Sequence, residues 1–171
     1  MKALVTQTAI LIALAILIPA FSYAGNDVSF PEGYTITIPD SFTTSEKKKD
    51  ECNYTNPEDN ADIDFIVLEV PKGQSGDAKE LKEIVFNDLE SFIPGYKVAE
   101  EKQISLEAME GYFVRAEALG ENEEPMIMET SVCISSDKRH SFILNLIYPA
   151  DLKAKYADLS EKTLETVRKT K

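Results

Sequence analysis

The sequence predicts an α+β fold in which an antiparallel β-sheet is sandwiched between helices, and three observations carry that prediction. Residues 141–148, SFILNLIY, are apolar on both alternations: Phe142, Leu144, Leu146 and Tyr148 point one way, Ile143 and Ile147 the other. A strand apolar on both faces belongs in the interior of a sheet, with material packed above and below it. Residues 63–70, IDFIVLEV, repeat the pattern and make a second interior strand. Two stretches of helical apolar spacing, 81–92 and 151–169, supply the layers that cover them.

Taken from its start, the chain opens with what reads as a secretory signal peptide over residues 1–24. Lys2 is the positive start, residues 9–18 the apolar run, and Ser22-Tyr23-Ala24 the small-x-small cleavage site. Pro19 closes the apolar run short of the ~20 residues that span a bilayer. The mature chain is therefore expected to begin at Gly25 and to be periplasmic or secreted. No membrane anchor remains after cleavage, and no Cys follows the cleavage site to carry lipid. Cleavage leaves 147 of 171 residues, the size of one domain over 25–171. Losing Lys2 takes the formal net charge from −12 to −13. That balance disfavours nucleic acid and anionic lipid as partners and suits a basic protein surface.

After a polar lead-in, Tyr34, Ile36 and Ile38 alternate with Thr35 and Thr37 as a half-buried strand, stopped by Pro39-Asp40-Ser41. In 47–55, Cys52 and Tyr54 sit two apart behind Lys47, Lys48 and Lys49, which predicts a short edge strand guarded by charge. Residues 56–62, NPEDNAD, make a turn before the second interior strand. Beyond a loop at 71–76, Asp77 with Glu80 three residues on starts a helix as an Asp capping box. Leu81, Ile84, Val85, Leu89 and Phe92 form its apolar stripe, and Pro94-Gly95 end it.

Four strands follow as a meander, 96–104, 111–119, 126–135 and one opening at His140. The links GENEEP (120–125) and SDKR (136–139) are of hairpin length and composition. In the third of these strands Met126, Met128 and Val132 share one face, and Glu129, Ser131 and Cys133 the other. Leu152, Tyr156, Leu159, Thr163, Leu164 and Val167 then give 151–169 the stripe of a closing helix. Arg168, Lys169 and Lys171 suit the negative end of its dipole.

This element order resembles the PsbP-like superfamily, which includes extrinsic photosystem proteins, a Ran-binding nuclear transport factor and DcrB-like bacterial envelope lipoproteins. The residues that carry the likeness are 34–42 (YTITIPDSF), 81–92, Gly111-Tyr112-Phe113-Val114 and 141–164. The resemblance implies an antiparallel sheet between helices used as a binding or assembly module. One departure is Gly25, which stands where the envelope lipoproteins carry a lipid-bearing Cys.

Few residues bear chemistry. Cys52 and Cys133, 81 residues apart in an exported chain, are expected to form one disulfide, and no Cys-x-x-Cys spacing supports a redox role. His140 is the only histidine, which excludes a multi-histidine metal site. Gly73-Gln74-Ser75-Gly76 lacks the spacing of a nucleophile elbow. The cluster Glu58, Asp59, Asn60, Asp62 and Asp64 has neither the Gly nor the Glu that a calcium loop needs at its sixth and twelfth positions. No catalytic, cofactor-binding or metal-ligating motif emerges.

The reading is an exported, non-catalytic binding or assembly module of the cell envelope that acts through protein–protein contacts. It is expected to be a monomer whose acidic turns meet an unknown, basic partner: Glu58, Asp59, Asp62 and Asp64 in one, Glu121, Glu123 and Glu124 in the other. The alternative is a small exported hydrolase or lyase with a site around His140.

Overall fold

In the computed structural model, which describes residues 24–71 and 76–170, the run SFILNLIY lies within His140–Pro149 (β9), the middle strand of a seven-stranded antiparallel sheet. The expected signal peptide up to Tyr23, Lys171 and most of the loop after Pro71 fall outside the described residues. In spatial order the sheet runs Thr43–Lys47 (β3), Glu51–Asn56 (β4), Ala61–Glu69 (β5), β9, Pro125–Ser135 (β8), Met109–Leu119 (β7) and Lys97–Leu106 (β6). Every neighbouring pair is antiparallel. The two strands apolar on both alternations, β5 and β9, pair with each other at its centre.

Gly25–Phe30 (β1), Tyr34–Pro39 (β2) and Arg168–Lys169 (β10) form a second, three-stranded sheet. It closes one face of the large sheet. Phe30 meets Phe65 at 5.4 Å between ring centroids, and Tyr34 meets Phe142 at 4.9 Å. A 3₁₀ turn at Ala150–Leu152 and two short helices, Lys153–Tyr156 (α2) and Leu159–Glu165 (α3), cover the rest of this inner face. Tyr156 stacks on Tyr148 at 5.0 Å. Ile63, Phe65, Phe142, Leu144, Leu146 and Tyr148 are all buried here, and each such side chain stabilises the fold by roughly 1.5–3 kcal/mol. The remaining helix, Ala78–Phe92 (α1), lies on the opposite face. The fold is thus α+β, an antiparallel sheet with helices on both faces.

Where the structure departs from the sequence reading, the reasons are local. The polar lead-in is a strand: β1 pairs along all of β2 and buries Val28 and Phe30, the inward half of its alternation. The edge strand is β3, not 47–55. Lys48 and Lys49 stand in the turn, and Cys52 and Tyr54 belong to β4, which β5 and β3 flank. Residues 151–169 are not one helix. The chain breaks after Tyr156, and Arg168 and Lys169 leave the helix to pair with Thr35 and Tyr34. Its predicted stripe still packs inward, with Tyr156, Leu164 and Val167 buried.

The expected disulfide is absent. Cys52 on β4 and Cys133 on β8 are free thiols with β5 and β9 between them. Three strand spacings of ~4.8 Å separate them by roughly 14 Å, about twice the reach of a disulfide. Gly111, opposite Cys133, holds β7 against β8. A Cβ there would lie 2.1 Å from the Val132 carbonyl oxygen and 2.7 Å from Cys133 Cα.

Candidate interaction surface

The face that carries α1 is only half covered. Asp77 caps α1 by accepting the Lys79 backbone N–H at 2.8 Å, and the Ile93 N–H closes its far end on the Leu89 carbonyl. Gly95, at φ +67, then turns the chain into β6. The helix packs on β7 and β8, with Lys82 over the Tyr112 ring. None of its fifteen residues is fully buried, and Ile84 is 62% and Phe92 82% exposed. Tyr156 and Ser160 tie α2 and α3 to the inner face, so they do not help.

Beyond α1, the strands β9, β5 and β4 therefore present an open lane. Ile66 and Ile143 are cross-strand partners in it, Ile147 lies further along, and all three are only half-buried. At one end a groove of 350 Å³ runs between helix and sheet, with Leu68, Val70 and Pro71 on one wall and Leu81 and Ile84 on the other. A polar row crosses the lane: Asn53, Asp64, Asn145 and Thr130 stand in register on β4, β5, β9 and β8. Thr130 donates to Asn145 Oδ1 at 2.9 Å, while Asn53 Oδ1 is buried with no hydrogen-bond partner among the described residues. Burial, and then the neighbouring Asp62 and Glu51 carboxylates, push the Asp64 carboxyl up to about 6.

The structure divides the first acidic cluster. Asp62 and Asp64 alternate on β5 and face the lane, whereas Glu58 and Asp59 stay in the turn. Asp59 has internal work: its Oδ2 accepts from Tyr156 OH at 2.5 Å and Asn56 Nδ2 at 2.9 Å, and Lys155 bonds it as well. Lys155 first and Tyr156 second hold its carboxyl below the usual range. In the second cluster the Glu124 carboxylate accepts the Asn122 backbone N–H at 2.8 Å, which shapes the hairpin. Glu58, Glu121 and Glu123 remain exposed, and the antiparallel register sets all three at the same end of the sheet.

His140 lies at the opposite end, its ring edge-on to Tyr34 at 5.0 Å. Its Nδ1 is buried without a hydrogen-bond partner among the described residues. The Ser135 hydroxyl, across the turn, donates to Asp137 and accepts the His140 backbone N–H, so it caps that turn.

One cluster escaped the sequence reading. Glu129 is 0% exposed and accepts from Arg115 Nε at 2.8 Å, Tyr148 OH at 2.8 Å and Ser160 Oγ at 2.6 Å. Arg115 also bonds Glu100 and donates to the Ala157 carbonyl at 3.0 Å. The three bonds to Glu129 engage both carboxylate oxygens, and with the Arg115–Glu100 bond they join β6, β7, β8, β9 and α3. The signal available was its place on one face with Cys133 in a strand between two others.

No protein-family model matches the chain, and no curated protein sequence matches it. Solved structures do. The Ran-binding protein Mog1p of Saccharomyces cerevisiae aligns over 86% of this chain and 96% of its own, with TM-score 0.59 and 11% identity. CyanoP, the cyanobacterial PsbP of Synechocystis sp. PCC 6803, aligns over 88% and 95%, with TM-score 0.61 and 12% identity. LpqN, involved in cell envelope biogenesis of Mycobacterium tuberculosis, aligns over 86% and 91%, with TM-score 0.59 and 16% identity. The chain has the fold that the PsbP and Mog1 structures share.

Proposed function

We propose that this chain is an exported, non-catalytic binding module of the cell envelope that acts through protein–protein contacts, with the open lane as its contact surface. The observation that carries the reading is the half-covered face. A helix with no fully buried residue and a strip of half-buried isoleucines beside it form an apolar surface of the kind that marks interaction sites. The fold supports it as analogy, since one neighbour is a Ran-binding protein and another is involved in envelope biogenesis. Export follows from the signal peptide read in the sequence, and intact mass of the exported protein is expected to show Gly25 as its first residue.

The test is photocrosslinking in the intact envelope from Ile143 and from Ile84, with Glu165 on α3 as the control on the other face. Discrete adducts are expected from the two lane positions and not from Glu165. Adducts of the same size from all three, or from none, would overturn the reading. The alternative enzyme reading rests on His140, whose Nδ1 has no hydrogen-bond partner among the described residues. It predicts that His140→Ala abolishes function while thermal stability stays unchanged; the binding reading predicts no loss.

A further inference from the structure

The open lane has the dimensions and the charge of a seat for one particular kind of element. Strands stand ~4.8 Å apart, so β9, β5 and β4 span roughly 10–14 Å, the width of one α-helix with its side chains. Ten residues of β9 at ~3.3 Å each make it roughly 33 Å long. Its floor is Ile66, Ile143 and Ile147, interrupted by one polar row, and the 350 Å³ groove at the Leu68 end takes one bulky apolar anchor.

The lane is acidic along its length and on the helix side. Asp62 and Asp64 stand on β5 in the same outward row as Ile66, and Glu51 faces Ile66 from β4. On the helix side Glu80 lines the groove with Ile84, and Asp88 follows at the next four-residue step on the same helix face. Among the described residues, Lys48 here pairs with Glu46 and Glu51, Lys82 with Glu101, and Arg139 lies at the His140 end, opposite Val70. A second copy of this chain is a poor occupant, because α1 itself carries four acidic residues against two lysines and α2 and α3 are packed on the inner face. An anionic lipid or nucleic acid would meet like charge.

We infer that the lane seats one amphipathic α-helix of a partner protein, with its apolar stripe on Ile66, Ile143 and Ile84 and Lys or Arg on both flanks. This rests on the binding-module reading and names the chemistry of its partner. It is helix-in-groove recognition in which the strands and α1 are the two walls. The flanking cations face Asp62 and Asp64 on one side, Glu80 and Asp88 on the other. One of them reaches Asp64, half-buried in the polar row, which forms no ion pair among the described residues.

The test uses the protein from Gly25 onward and amidated peptides of about 18 residues, which span ~27 Å as a helix. One has Leu at helical i, i+3, i+4, i+7 spacing with Lys flanks; the second replaces Lys by Glu; the third scrambles the Lys peptide. Backbone amide shifts are followed by NMR. The Lys peptide is expected to bind saturably, to move the amides of Ile66, Ile143 and Ile84, and to weaken as salt rises. Ile84→Lys, at an exposed site that leaves the fold intact, is expected to weaken it by about tenfold or more. Asp62→Lys with Asp88→Lys is expected to reverse the preference toward the Glu peptide.

Equal binding of the Lys and Glu peptides, or of the scrambled one, would overturn the inference. So would shifts centred on β1 or α3, or lane shifts that grow with protein concentration without peptide, which would give the lane to a second copy. Adducts from Ile143 in the envelope with no binding by the peptides would overturn the helical occupant alone. Absence of both would remove the contact surface as well.

Discussion

Asp64 is ionised at neutral pH against the preference of its site. Burial, Asp62 and Glu51 raise its folded value from 3.8 to about 6, opposed only by Lys48, and its register neighbours Asn53 and Asn145 are neutral. A carboxylate raised on folding contributes stability that is present below its unfolded value, near 4, and is lost as the pH rises through 6. Asp64→Asn is therefore expected to stabilise the protein at pH 7 by on the order of 1 to 3 kcal/mol, with the gain vanishing toward pH 4. Urea unfolding at the two pH values checks this, and an equal gain at both would refute it. The cysteines behave in the opposite manner to what export suggested. Burial pushes both thiols up to about 12, so neither offers a thiolate. The native protein is expected to resist a thiol reagent, and the protein unfolded without reductant to titrate two thiols. One or no thiol would restore a disulfide.

At the scale of the elements, Glu129 decides whether the C-terminal helices stay docked. It is the acceptor that β7, β9 and α3 share through Arg115, Tyr148 and Ser160, and it is fully buried. Removing it leaves Arg115 with Glu100 and the Ala157 carbonyl, and takes away the acceptor of two hydroxyls. Glu129→Ala is expected to destabilise by about 3 kcal/mol, whereas Ser160→Ala alone should cost about 1 kcal/mol. Chemical denaturation measures both, and faster amide exchange in α3 than in β1 would locate the loss. The alternation of β8 put Glu129 on one face with Ser131 and Cys133 but did not mark it as a core residue, because its partners come from strands and a helix distant in sequence. The strands β5 and β9 were legible for a local reason, since apolar residues on both faces demand a central position. The lane was legible only in part: Ile143 and Ile147 declared a second apolar face, but not that α1 would cover β7 and β8 instead. β1 was hidden because only Val28 and Phe30 of its six residues are apolar. The cysteine pairing depended on strand order, which pairs residues far apart and leaves no mark in spacing.

As a whole, the molecule carries an exposed acidic group at one end of its large sheet. Register places Glu58, Glu121 and Glu123 there, while at the other end Lys48 pairs with Glu46 and Glu51, and Lys138 with Glu110. The exposed face of α1 runs toward the acidic end, where Phe92 stands open and the Leu119 N–H meets the Pro94 carbonyl. A basic helix approaching the lane is therefore drawn first by the acidic end, at distances where no contact has formed. Long-range attraction of this kind acts on encounter and is screened beyond ~8 Å at physiological ionic strength. Glu58→Gln, Glu121→Gln and Glu123→Gln together are expected to lower the association rate of the Lys-flanked peptide severalfold at low salt. The dissociation rate should barely move, because none of the three lies in the lane, and the difference should shrink in moderate salt. Lys49→Gln at the far end is the control and should leave the association rate unchanged or raise it. Stopped-flow binding at two salt concentrations separates the rates. A change confined to dissociation would place these glutamates in the contact itself, and no change in either rate would mean that the acidic end only keeps the protein soluble.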